Sequence, residues 1–200
     1  VTGMTLTGVA ARGSFAGSRL TIGELSGRTS GGGSVTGTAA FDISAERGIG
    51  MDIDLRTERA EILNRDDVGA RVTGPLRIRS SGNGGVISGD LDVVSSRFML
   101  GRASSVAEIP QIRLVELNRS GEEVERARAI APWRLDVRAR AANGLTVEGL
   151  GMQSEWSADL TIGGLVTAPA FKGMANLIRG TYDFAGKRFD LEEGRLTFQG

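Results

Sequence analysis

The chain has no cysteine and no histidine. Without cysteine there is no thiol nucleophile, no thiolate zinc site and no disulfide; without histidine there is no Ser-His-Asp machinery and no imidazole metal ligand. No cofactor is expected. Lysine is nearly absent, with only Lys172 and Lys187 beside 22 arginines. Acidic and basic residues balance at 24 each, so no overall field recruits nucleic acid or anionic lipid. No window approaches the roughly 18 apolar residues needed to cross a membrane as a helix, and Val1 does not open a signal peptide. The chain therefore reads as a segment of a larger protein. The absence of cysteine fits an oxidising compartment, among others. Aromatics are scarce: ten in all, five of them after residue 170.

What the sequence has is alternation and glycine. In "MDIDLR" Met51, Ile53 and Leu55 share one face, opposite Asp52, Asp54 and Arg56. Leu76 and Ile78, Leu91 and Val93, Leu135 and Val137, and Leu160 and Ile162 repeat the pattern. Period-two alternation marks strands with one apolar and one wet face. "NRDD" at 64–67, "SGNGG" around Asn83-Gly84, "NRSGEE" at 118–123 and Asn143-Gly144 supply turn chemistry, so neighbouring strands are expected to pair antiparallel. "SGGGS" (30–34) lacks the Gly-Lys-Ser/Thr of a phosphate loop and reads as a flexible hairpin tip. No stretch carries a helical stripe. The fold class is all-β: an elongated, largely antiparallel sheet folded lengthwise into an apolar groove.

A shift of 84 residues lays 51–102 on 135–186 without a gap and keeps apolar parity, with Gly89 on Gly173, Phe98 on Tyr182 and Leu100 on Phe184. This is read as a duplicated multi-strand unit, with one copy bulged near Glu61-Ile62 and with 103–134 as an inserted hairpin. Strands of about eight residues would be about 26 Å long, and a dozen would make a sheet about 55–60 Å wide, which curls rather than staying flat.

Carboxylates at Asp52, Asp54, Glu58 and Glu61, with Asp136, invite comparison with a glycosidase pair. They face away from the apolar side among arginines, as a solvated ion-pair face does, so the chain reads as non-enzymatic. Glu192-Glu193 reads as a turn, and Trp133 and Trp156 as core or rim packing. In the last thirty residues Phe171, Leu177, Tyr182, Phe184, Phe189, Leu196 and Phe198 alternate with glycine and charge, which reads locally as two aromatic hairpins.

"FKGMANLIRGTYDFAGKRFDLEEGRLTFQG" resembles the signature of the TamB C-terminal domain family. Gly173, Arg179-Gly180, Tyr182, Lys187, Phe189, Glu193-Gly194, Leu196, Phe198 and Gly200 occupy the positions of its pattern. The preceding "GLGMQSEWSADLTIGG", with Gly149, Gly151, Trp156 and Leu160, resembles the family too. The likeness is clear over 133–200 and looser over 50–132; residues 1–49 share only the alternation. Family members continue past this point, so the chain is expected to end inside the pattern. The resemblance implies a periplasmic segment of an envelope protein of a Gram-negative bacterium, anchored in the inner membrane, acting with an outer-membrane barrel of the TamA type. It implies support of outer-membrane protein assembly, phospholipid transfer, or both, with acyl chains or nascent outer-membrane strands as partners and no nucleic acid. The eighteen apolar residues from Met51 to Phe198 named above are the expected groove lining. The alternative is an adhesin- or passenger-like β-sandwich with a filled core.

Overall fold

The computed structural model describes residues 5–44, 48–101 and 131–200; the expected 103–134 hairpin lies outside these residues, apart from its last four positions. Every regular element described is a strand: β1 (Leu6–Ala16), β2 (Arg19–Thr29), β3 (Ser34–Asp42), β4 (Gly50–Asn64), β5 (Val68–Ser81), β6 (Gly85–Met99), β7 (Trp133–Gly149), β8 (Met152–Leu165), β9 (Ala168–Phe184), β10 (Lys187–Leu191) and β11 (Arg195–Gln199). They form one open sheet in chain order, and no second sheet covers it among the described residues. The described residues therefore do not form the two-sheet sandwich held as the alternative. All pairs are antiparallel except β6 with β7, which run parallel with Gly85 beside Trp133 and Met99 beside Glu148.

Several strands are about twice the expected eight residues, up to 17 in β7 and β9. The reason is that breaks in alternation are bulges, not strand ends. Asn143-Gly144, expected to turn the chain, lies inside β7. Gly144 takes φ 76° within the register shift between Ala141 and Leu145, so the residue that admits positive φ makes a bulge rather than a hairpin. The β7–β8 turn is instead Gly149-Leu150-Gly151, where all three residues have positive φ.

The close of the chain also differs from the two hairpins expected. Ala185-Gly186, both at positive φ, turn β9 into β10. "EEG" then makes no reversal. Both β10 and β11 run antiparallel to β9 in a single register, Leu191 opposite Gly180 and Arg195 opposite Asn176. Leu177 N–H donates to the Gly194 carbonyl across the gap at 2.8 Å. The two are one interrupted strand, because that bond carries the pairing through the three residues between them.

"SGGGS" does connect β2 to β3, but it is seated on β4. Thr29 Oγ1 donates to the Gly32 carbonyl (2.6 Å) and accepts from Glu61 N–H (3.0 Å), and Ser30 Oγ donates to the Glu61 carboxylate (3.0 Å). A Cβ on Gly33 would collide with the Arg59 carbonyl. Gly31 and Gly33 serve close approach, and Gly32, at φ 84° with open space around it, serves the turn.

Moved on by 84 residues, the bounds of β5 coincide with those of β8, and those of β4 and β6 fall within one residue of those of β7 and β9. The bulge of β6 at Val94, between Val72↔Val93 and Arg71↔Ser95, recurs at Ile178 of β9, between Trp156↔Leu177 and Glu155↔Arg179. The expected bulge near Glu61-Ile62 is present, yet β7 is bulged as well: β4 takes its two extra residues in separate steps, β7 in one.

Candidate functional site

Paired residues on neighbouring strands project from the same face, so the registers trace rows across the sheet. One row crosses from β2 to β9 as Leu25, Gly37, Leu55, Leu76, Gly89, Val137, Ile162 and Phe171. A second runs Ile22, Ala39, Ile53, Ile78, Ile87 and Leu135. A third runs Leu91, Ala139, Leu160, Gly173 and Phe198. Every member is apolar or glycine. The bulges matter here, since without them each break in parity would send the following residues to the other face.

All eighteen residues named from the sequence fall on this face. Leu91 and Val137 are buried, and with Val72 they form the small packed centre, flanked by Leu76, Val93, Ile162 and Ile62. Met51, Ile53, Leu55, Ile78, Leu135, Leu160, Leu177 and Tyr182 are half-buried. Phe171, Phe184, Phe189, Leu196 and Phe198 are exposed, Phe184 by 61%. Among the described residues only seven apolar side chains are buried, four of them alanines. A face with so few buried side chains is not the inside of a filled core. The aromatic rings gather at the β9–β11 end: Phe171 and Phe198 lie 6.5 Å apart and tilted, Tyr182 and Phe184 6.0 Å apart and stacked.

Sequence reasoning missed part of the surface. Phe15, Leu20 and Phe41 continue it through β1–β3 to Met51, and Trp156 joins it between Leu145 and Leu177. Their alternation is visible in the sequence, but bulges at Gly8, at Gly23-Glu24 and at 142–144 shift its phase. Trp156 donates from Nε1 to Ser154 Oγ (2.9 Å), and its ring stands 3.1 Å from where a Cβ on Gly194 would be. That glycine is the floor on which the indole lies. Trp133 covers Gly85 in the same way.

The opposite face is charged and largely self-neutralised. Asp54 pairs with Arg77 (2.7 Å), Asp52 with Arg79 (3.2 Å), Asp90 with Arg140 (2.6 Å), Asp159 with Arg138 (2.8 Å), Glu155 with Arg179 (2.7 Å) and Asp183 with Arg188 (3.0 Å). Asp52 and Asp54, which by sequence invite comparison with a glycosidase pair, are thus held to arginines one strand away. The guanidinium bonds from Arg138 and Arg188 hold the carboxyls of Asp159 and Asp183 below their ordinary range. Glu155 is lowered first by the Gly144 N–H and then by Arg179. Among the described residues no His/Cys/Asp/Glu group is gathered to hold a metal, and no helix is long and apolar enough to cross a membrane.

The family model of the TamB C-terminal domain matches residues 23–200. The chain belongs to the TamB C-terminal domain family. The match covers most of β2 and all of β3 to β11, well beyond the 133–200 stretch where the likeness is plainest to the eye. No curated protein and no solved structure matches the chain. Membership gives a TamB-like role in the Gram-negative envelope and, in general terms, association with the TamA module; the family is not a known enzyme family.

Proposed function

We propose that this TamB-family segment is a non-catalytic carrier surface that moves phospholipid acyl chains between the inner and outer membranes, in support of outer-membrane assembly. Its place would be the periplasm, as part of a protein anchored in the inner membrane and reaching a TamA-type barrel. The observation that carries this reading is the continuous apolar face, opposed by an ion-paired face and left without a covering layer among the described residues. On this reading the sheet curls along its length so that the face becomes a groove, lined by the eighteen residues given above.

The physics suits an acyl chain. Each CH₂ taken from water onto an apolar wall gains roughly 0.8 kcal/mol, with no directional partner required. A row of residues crossing eight strands lets a chain slide with little re-exposure at each step, while the headgroup stays in water. The cluster of exposed rings at the β9–β11 end adds wall area where side chains are least covered. A second use of the same sheet rests on a separate observation. β1 is exposed along its whole length, and β10 and β11 leave the opposite edge unpaired, so a nascent outer-membrane strand has edges to extend.

The carrier reading is tested by substituting Leu177→Asp and Phe171→Asp and extracting lipid from the purified proteins. The expected result is at least tenfold less co-purified phospholipid with the far-UV strand signal retained. Wild-type lipid content in both variants would contradict an acyl-binding face.

A further inference from the structure

Arg56, Arg97 and Arg134 stand singly on the charged face without an ion pair to a described residue, but at one place three such arginines gather. Three hollows among the described residues differ in charge. The one at the β3–β4–β5 ends holds two arginines and two carboxylates. Another, over β8–β10, holds one arginine and four carboxylates. The third, about 570 Å³, holds Arg28, Arg59 and Arg71 against the single carboxylate of Glu58, beside the turn Ser30-Gly31-Gly32-Gly33. No guanidinium of the three forms an ion pair or hydrogen bond with a described residue, whereas Arg77, Arg79, Arg138, Arg140, Arg179 and Arg188 all do. Glu61, opposite Arg71 in register, is occupied instead by Ser30 Oγ and Asn64 Nδ2.

The backbone brings these groups together. Arg28 and Arg71 project from the charged face, and Arg59 is the bulge residue of β4, at φ 48°. A residue with a Cβ adopts that conformation only at a cost. In the β7 bulge the left-handed residue is a glycine, Gly144, one position beyond the 84-residue counterpart of Arg59. Glycine would adopt that backbone without the cost, so the arginine side chain at 59 is what the site gains. Gly33 packs against the Arg59 carbonyl, and Thr73 Oγ1 accepts the Arg59 N–H at 3.0 Å, which fixes the bulge in place.

We infer that Arg28, Arg59 and Arg71 form a binding site for a phosphoryl group. Guanidinium forks match phosphate oxygens geometrically, and three cations facing one carboxylate favour a compact anion of one or two charges. The site lies on the face opposite the apolar one and does not depend on that face holding lipid. A phospholipid headgroup and free phosphate share this chemistry, and the test separates them.

The 200-residue chain is titrated with inorganic phosphate at fixed ionic strength, and mixed with vesicles of phosphatidylglycerol in phosphatidylcholine or of phosphatidylcholine alone. The proteins compared are wild type, Arg59→Gly and Arg71→Gln. The expected result is saturable phosphate binding by wild type, weakened at least tenfold in both variants with the strand signal intact. Arg59→Gly is expected to melt no lower than wild type, because it relieves the strained backbone. Binding to phosphatidylglycerol vesicles that is lost in the same variants identifies a headgroup; phosphate binding without vesicle binding identifies the free ion. No saturable phosphate binding by wild type, or unchanged affinity in either variant, would overturn the site.

Discussion

Gly173 shows what single residues contribute to this sheet. It stands at φ 134° opposite Leu160, and a Cβ there would run into the Asp159 carbonyl and backbone of the next strand. Gly23 is different: its φ is not positive, and a Cβ there would meet nothing within 4 Å. Gly173→Ala should therefore cost about 2–4 kcal/mol, through strain and a forced separation of β8 from β9. Gly23→Ala should be neutral or stabilising by up to about 1 kcal/mol, since it only restricts the unfolded chain. Urea denaturation of the two variants checks the contrast, and equal effects would mean that the glycines are not placed by close approach. The sequence displays both glycines alike; only the register says which one has a neighbour's carbonyl beneath it.

At the scale of elements the bulges decide the outcome. Glu155 on β8 ties two of them together, accepting the Gly144 N–H from the β7 bulge (3.1 Å) and the guanidinium of Arg179 beside the β9 bulge. These partners lower its pKa in the folded chain. A carboxylate whose folded pKa lies below its unfolded one contributes stability above the unfolded value and loses it as pH falls through the folded one. Glu155→Gln should thus unfold more readily than wild type at pH 7, and the gap should close as pH falls below the ordinary carboxylate range. Denaturation midpoints from pH 7 down to pH 3 measure this; a gap constant with pH would mean that the carboxylate charge plays no part. The strands themselves are legible from alternation, and the hairpins at 64–67, at Asn83-Gly84 and at Ala185-Gly186 from turn residues. Asn143-Gly144 and "EEG" mislead because glycine chemistry is the same in a hairpin and in a bulge. Which one forms depends on whether the neighbouring strand continues alongside, and only the tertiary pairing says so. Strand bounds and bulge positions that recur after 84 residues support our reading of β4–β6 and β7–β9 as two copies of one three-stranded unit, joined through the parallel β6–β7 pair.

At the largest scale the described residues form one sheet with two chemistries, apolar on one side and ion-paired on the other. That division is readable in the sequence, since strict alternation fixes parity within each strand. Continuity of the apolar face across eight and more strands is not, because each bulge resets the phase by an amount that composition does not encode. Surface ion pairs contribute little stability singly, and the packed centre around Val72, Leu91 and Val137 is small. Among the described residues the sheet therefore leaves much apolar wall uncovered, and exposed apolar patches of that kind mark interaction surfaces. The most direct test of the carrier reading is native mass spectrometry of the purified 200-residue chain, with lipid identified from the same sample. The account predicts phospholipid bound in a defined ratio to protein. A monodisperse chain free of lipid would contradict it.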